Sequence, residues 1–288
     1  MQIEVTGLSH SYKKDTPFEK KVLHNLSLCI NEGEFVGLIG PTQSGKTTLA
    51  QHFNALFIPQ EGSVIVNGRD TADRKADLIK LRYEVGYVFQ NSDYQLFAPT
   101  VGEDIAFGPN NQNLPVAVVE DRVRQAMSQV GLDFDSIYRR DIFALSGGQK
   151  RRVAIAGVLA CKPKILILDD VTAGLDPRGR EEILGVIRKL HAEEKITIIF
   201  ISNSMDEIAE LAERIIVVDR GKIAFDGQTR TVFEQADRLC AIGLELPEIM
   251  TITNHLRKCG YHLPETVLNM EEALQAIASS LQDGQVND

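Results

Sequence analysis

The chain has no excess of positive charge. Its 31 lysines and arginines stand against 40 acids, for a formal net charge of -9. That balance argues against nucleic acid as the main partner, because duplex binding needs a basic face to displace counterions. Paired cysteine spacing is missing too. Cys29, Cys161, Cys240 and Cys259 are scattered with no C-x-x-C among them. They read as ordinary reduced thiols of a cytoplasmic protein, and no secretory leader precedes the first expected strand. No apolar run approaches the roughly 18 residues that a membrane-spanning helix requires. If membranes matter here, other chains cross them. There is no internal repeat and no low-complexity segment.

What is present has ordinary proportions: 288 residues, 43% hydrophobic and 25% charged, enough for one large core or two modest ones. Leu26, Leu28 and Ile30 alternate with polar residues, residues 35–39 form a short buried run, and Val64-Ile65-Val66 closes on the tight-turn pair Asn67-Gly68. After Gly40 the pattern changes to a helix carrying Leu49, Ala50, Phe53 and Leu56. Residues 100–141 are expected to be mainly helical, with Val119, Val123, Met127 and Val130 at three- and four-residue spacing. Apolar, largely β-branched runs return at 165–168, 196–201 and 215–218, which suits a parallel sheet covered on both faces. From about residue 231 a helical tail follows, broken at Pro247 and Pro264 and ending in a polar stretch at 282–288.

Three motifs carry chemistry. Gly40-Pro41-Thr42-Gln43-Ser44-Gly45-Lys46-Thr47, followed by Thr48, matches G-x-x-x-x-G-K-[ST] between a buried strand and a helix. In such a loop backbone N–H groups surround phosphate oxygens, Lys46 reaches the β- and γ-phosphates and the Thr47 hydroxyl ligates Mg²⁺; the competing reading is a glycine turn with a chance lysine. Leu145-Ser146-Gly147-Gly148-Gln149 opens a second helix and would offer helix-start N–H groups to an anion, although alone it reads equally as a serine-capped helix start. The third is LILDDVTAGLDP at 166–177, where two aspartates stand side by side at the end of an apolar run.

Together these motifs resemble those of ABC-type ATPase subunits. The resemblance implies an α/β fold: a P-loop ABC ATPase domain at 1–230 with a mixed sheet, an antiparallel β subdomain and a helical signature subdomain at about 91–160, then a C-terminal helical extension at 231–288. It implies ATP and Mg²⁺ as cofactors. Tyr12 resembles the aromatic that stacks on adenine, against the plainer reading of a half-buried strand tyrosine. Gln90 resembles the glutamine that reaches Mg²⁺ and the attacking water, Asp169 the carboxylate behind Mg²⁺, and Asp176 the acid of a loop that crosses the dimer. Residues 7–26, 89–97 and the tail around Ile242-Gly243-Leu244-Glu245-Leu246-Pro247 are similar to ATP-binding subunits of energy-coupling-factor transporters, which import vitamins and transition metal ions. Residues 90–107 resemble the region that forms a groove for a coupling helix, where Asp93, Glu103 and Asp104 could receive basic side chains or could simply be a solvated acidic face.

Three positions depart from the family. Gln43 stands where glycine is usual, in a position that the P-loop pattern leaves open, so nucleotide binding is expected to survive. Asp170 stands where the family has the glutamate that polarises the attacking water, with Val171 in place of proline. Asn203 replaces the switch histidine. Aspartate is one methylene shorter than glutamate, and a misplacement of ~1 Å can cost ~10²-fold in rate. Asn203 can donate a hydrogen bond but cannot carry charge or transfer a proton. The site is therefore expected to bind ATP and cleave it slowly, unless a small backbone shift restores the reach of Asp170.

The family pairs two ATPase subunits head to tail, each nucleotide lying between one P-loop and the other signature. The implied partners are a second ABC ATPase subunit, in a heterodimer or a homodimer, a transmembrane coupling protein and a substrate-binding membrane protein, with the chain peripheral on the cytoplasmic face of the cell membrane. A second hypothesis is a non-catalytic, nucleotide-dependent clamp or regulatory ABC protein. A soluble ABC ATPase of DNA repair or translation fits worse: repair types insert long coiled coils where this chain has only residues 91–144, and translation types carry two cassettes.

Overall fold

The apolar runs become strands because β-branched residues fit a pleated surface that is buried on both sides. In the computed structural model, which describes residues 1–73, 75–91 and 94–282, the first elements are β1 (Ile3–Tyr12), β2 (Lys20–Ile30), β3 (Phe35–Ile39), α1 (Lys46–Phe53), β4 (Glu61–Val66) and β5 (Arg69–Asp70). Then come α2 (Leu78–Glu84), β6 (Val85–Val88), α3 (Val101–Asn111), α4 (Val116–Gln129), α5 (Phe134–Ile137) and α6 (Gly147–Leu159). The chain continues through β7 (Ile165–Asp169), α7 (Pro177–Glu194), β8 (Thr197–Ile201), α8 (Met205–Leu211), β9 (Arg214–Asp219) and β10 (Lys222–Gln228). It closes with α9 (Thr229–Phe233), α10 (Ala236–Ala241), α11 (Glu248–Lys258) and α12 (Met270–Gln282).

The strands form two sheets. One is four-stranded with order β2-β1-β4-β5 and antiparallel pairing throughout. The other is six-stranded with order β10-β9-β3-β8-β7-β6, parallel except where β10 pairs antiparallel with β9. The mixed sheet and antiparallel subdomain implied by the motifs are both present.

Period-two alternation along the parallel strands divides the interior. Val36, Leu38, Ile165, Ile167, Ile199 and Ile201 face a cluster shared with the antiparallel sheet and α1. Their neighbours Phe35, Ile39, Leu166, Leu168, Ile198 and Phe200 face a larger cluster built with the helices, including Ile105, Val123, Ile155 and Ile187. Each strand thus buries both faces, which explains why it carries no polar alternation.

The tail packs onto the central sheet. Helix α9 begins at Thr229, and Val232, Phe233, Leu239, Leu244 and Met250 join the same cluster as the central sheet. Pro247 occupies the N-cap of α11, a position that needs no helical N–H. Of the polar end, residues 283–288 lie outside the described residues.

All the parallel strands run in one direction, so their carboxyl ends share an edge. Gly40 follows β3, Gln90 follows β6, Asp169 ends β7 with Asp170 just after it, and Asn203 follows β8. Ligands of open α/β sheets bind at that edge.

Candidate functional site

The loop at 40–48 leaves β3 and opens α1. Gly40 has φ +153, and a Cβ there would lie 2.0 Å from Val218 O and 2.7 Å from Ser44 Oγ, so no other residue fits. Gly45 caps the helix at φ +109. Gln43, at φ +64, adopts the left-handed backbone that glycine takes without strain; this is the physical content of its departure from glycine. Lys46 is buried, and its Nζ donates to the loop's own Gly40 O at 2.7 Å and Pro41 O at 3.1 Å. Burial pulls its ammonium below the ordinary value, while Asp169 and Asp170 hold it up. Ser44 Oγ is buried with no hydrogen-bond partner, an orphan that an incoming acceptor would satisfy. Pro41 is half-buried, and Thr42, Gln43 and Thr47 line the exposed rim.

Tyr12, 38% exposed, ends β1, and its hydroxyl shares a 2.9 Å hydrogen bond with Thr48 Oγ1. Together with Lys20 and residues 43–48 it lines a cleft of about 230 Å³. That is below the ~300–1,000 Å³ usual for a ligand pocket, so the cleft has only some of the walls it needs. Beneath Tyr12 lie His10 and His52, ring centroids 4.9 Å apart. His52 Nδ1 donates to Thr48 O at 2.7 Å, and burial pushes its imidazole down to about 4.

The aspartate pair separates into two environments. Asp169 is buried, and its Oδ2 accepts from Tyr87 Oη at 2.7 Å; the nearby Thr47 hydroxyl favours its charged form. Burial raises its pKa above the usual carboxylate value, against the Tyr87 hydrogen bond, the nearby Thr47 hydroxyl and the Lys46 charge. Asp170, at φ +52, is half-buried and turned the other way. Its Oδ2 accepts from Gln90 Nε2 at 2.8 Å and from Asn203 Nδ2 at 3.3 Å. Its pKa is also raised, first by burial and then by the charge of Glu207, with those amides and Lys46 opposing. Lys46, Thr47, Gln90, Asp169, Asp170 and Asn203 therefore converge, although they are scattered along the sequence.

Residues 146–149 are not among those that line that cleft. Ser146 caps α6: its Oγ accepts from Gln149 N at 3.3 Å while Gln149 Oε1 accepts from Ser146 N at 3.1 Å. The serine-cap reading thus describes its role within the chain. Gly147 and Gly148 are not needed by that cap, since a Cβ on either would meet nothing within 4 Å. Arg151, one turn on, donates to Gln90 O and to Ala173 O. Asp176 caps α7 by accepting from Gly179 N at 2.6 Å.

The sequence matches the ABC transporter family over residues 23–173. It is 45% identical to the energy-coupling factor transporter ATP-binding protein EcfA2 of Clostridium tetani over 273 residues, 95% of each chain. It is 48% identical to the EcfA2 of Symbiobacterium thermophilum, over 98% of this chain and 97% of that one. This chain belongs to the energy-coupling factor transporter ATP-binding proteins. It is also 42% identical to the EcfA1 of Caldanaerobacter subterraneus, over 96% of this chain and 98% of that one. The fold is similar to that of cbiO1 from Clostridium perfringens, part of the ABC transporter complex cbiONQ, with a TM-score of 0.74, 33% identity and coverage of 89% and 98% of the two chains. It is also similar to the ATP-binding cassette MJ0796, solved as a dimer in a post-hydrolysis state bound to ADP and Pi, with a TM-score of 0.70, 29% identity and coverage of 79% and 99%.

In this family member no helix among the described residues is long and apolar enough to cross a membrane. An apolar groove of about 460 Å³ opens between α2, β6 and α3, with Ile79, Phe89, Phe97 and Phe107 exposed along it. Of the acids expected to face a partner there, Asp93 lies outside the described residues. Glu103 is exposed. Asp104 is a correction: it is buried, and its Oδ2 accepts from Phe97 N at 2.9 Å and Ala98 N at 3.0 Å, so it braces the groove's own wall.

Two members of the site escaped the motifs. Glu207, 2% exposed, accepts from Thr172 Oγ1 at 2.9 Å and Ser202 Oγ at 2.6 Å and pairs with Arg180 at 2.6 Å. A sequence signal existed, because Glu207 precedes Leu211 by four residues and shares its buried helical stripe. Tyr87 had none beyond its place in a buried run.

Proposed function

We propose that this chain binds Mg·ATP and acts as the slower half of a pair of ATPases that drive import of a vitamin or a transition metal ion. The observation that carries the reading is the state of Asp170: a short carboxylate whose Oδ2 is held by the neutral amides of Gln90 and Asn203. Held there, it is poorly placed to withdraw a proton from water. Raised pKa values on both aspartates mark a site that gains from a cation.

The donor set suits Mg²⁺. The Thr47 hydroxyl, the Gln90 side-chain oxygen and the Asp169 carboxylate are hard oxygen ligands, and Mg²⁺ usually takes one or two carboxylates plus substrate phosphates rather than a protein cage. Among the described residues no cluster of three or more His, Cys, Asp or Glu forms such a cage. Bound Mg²⁺ would neutralise charge on the phosphates. This chain's own residues would do the rest. Lys46 would exchange its bonds to Gly40 O and Pro41 O for phosphate oxygens, Ser44 Oγ would gain its missing partner, and Tyr12 would offer a ring face to the base.

Open space over Gly147 and Gly148 supports a head-to-tail pair, in which a second ATPase brings its nucleotide to these helix-start N–H groups. The names of the relatives, EcfA1 and EcfA2, favour two different chains. The groove along α3 would receive a helix of a transmembrane coupling protein at the cytoplasmic face, and a separate membrane protein would choose the substrate.

Steady-state ATPase and uptake by the reconstituted complex test this division of labour. Gly148→Asp in this chain alone is expected to abolish turnover by blocking the partner's site, and Lys46→Ala to reduce it less. Equal losses would overturn the asymmetry. A pair that binds ATP and closes without turnover at all would instead establish a nucleotide-dependent clamp.

A further inference from the structure

Tyr87 is the residue of the site to which nucleotide binding assigns no task. It lies in β6 opposite Ile167 in parallel register with β7, and strand side chains alternate, so its ring falls on the same face as Ile167 and Asp169. A phenol is long enough to run diagonally along that face, and its Oη reaches Asp169 Oδ2. The ring also lies against exposed Phe89, centroids 4.7 Å apart, and forms part of the groove wall with Phe97 and Phe107. Gln95 staples the backbone on either side: its Nε2 donates to Tyr87 O at 3.4 Å and its Oε1 accepts from Phe89 N at 3.2 Å. One side chain thus touches the groove at one end and the metal carboxylate at the other. A phenylalanine would fill the wall as well. Only the bond to Asp169 accounts for a hydroxyl buried at that depth.

We infer that Tyr87 is a positioning residue that orients the Asp169 carboxylate for Mg²⁺ and links that carboxylate to the groove wall at Phe89; the inference rests on the Mg·ATP reading. Its bond holds the carboxylate in one orientation. Outer-shell partners of this sort govern metal affinity by ~10–100-fold. An occupant that shifts Phe89 shifts the Tyr87 ring, and the change arrives at Asp169 as a lengthened or shortened hydrogen bond. This route does not pass through Gln90.

The test uses the full chain with ATP and Mn²⁺ as a spectroscopic stand-in for Mg²⁺, followed by electron paramagnetic resonance. Tyr87→Phe keeps the ring and the groove wall and removes only the hydroxyl. Its Mn²⁺ affinity in the ATP complex is expected to fall about tenfold or more, with ATP affinity in chelator unchanged. Binding of metal-free ATP by the wild-type chain checks the nucleotide reading separately. Unchanged Mn²⁺ affinity in Tyr87→Phe overturns the positioning role. Phe89→Leu, which loosens the ring but keeps the hydroxyl, is expected to weaken Mn²⁺ in the same direction and to add nothing in the double variant, since both act through one contact. Additive losses overturn the link to the groove.

Discussion

Asp170 Oδ2 accepts a hydrogen bond from Asn203 Nδ2 at 3.3 Å, joining the carboxyl ends of β7 and β8. Both stand at positions where the sequence is expected to depart from the family pattern, and they meet. If Asp170 is the proposed base and Asn203 the proposed switch residue, their contact makes them one unit.

Restoring that unit should therefore need both changes. Asp170→Glu with Asn203→His is expected to raise ATP turnover of this chain more than the two single changes combined, because base and switch act on one transition state. Single-turnover hydrolysis measures it. A wild-type chain already turning over at ~1–10³ s⁻¹, the ordinary enzyme range, would remove the premise.

Two glycines should answer differently to the same methyl group. Gly40→Ala drives a Cβ to 2.0 Å from Val218 O and is expected to cost about 3 kcal/mol or more of stability. Gly148→Ala meets nothing within 4 Å and should leave stability unchanged or raise it by up to about 1 kcal/mol, while lowering turnover of the assembled pair. Urea unfolding and ATPase assays distinguish the two.

Gln43 holds φ +64, so Gln43→Gly is expected to stabilise the chain by about 1 kcal/mol, the strain of a side chain in the left-handed region. Its bond to Lys20 Nζ, 3.4 Å long and exposed, offsets little of this. The urea midpoint should rise at constant slope.

His52 makes stability depend on acid. Its folded value of about 4 lies below the ordinary imidazole value of about 6.5, so the unfolded chain binds the proton first, and stability falls as pH drops from 6.5 towards 4. Between pH 7.5 and 5 this group should remove about 2 kcal/mol. His52→Gln, which keeps a donor for Thr48 O, should lose that much less over the same interval. Equal slopes for the two proteins in urea melts across pH would rule the mechanism out.

Asp104 and Glu103 are neighbours with different duties. Asp104→Ala orphans the Phe97 and Ala98 N–H groups and is expected to cost about 2 kcal/mol. Glu103→Lys should stay within about 0.5 kcal/mol and instead weaken association with the membrane partner. Thermal melts and co-purification read the two effects apart.

The sequence by itself determined the parts whose chemistry is local. The P-loop needs its glycines, lysine and hydroxyl within residues 40–48, the parallel strands announce themselves as β-branched runs, and Ser146 with Gln149 spells a capping box in four residues. Even the departures at Gln43, Asp170 and Asn203 are visible as letters. Only the tertiary structure decided what depends on distance through space. It brings Asn203 and Gln90 onto Asp170 across three strands, buries Asp104 against its own loop, and carries the Tyr87 hydroxyl from β6 to Asp169 on β7. The reason is geometric: residue type and spacing encode which face of a strand or helix is buried, whereas the neighbours met on that face follow from the order and register of the strands, and residues 82 positions apart leave no periodic trace of their contact.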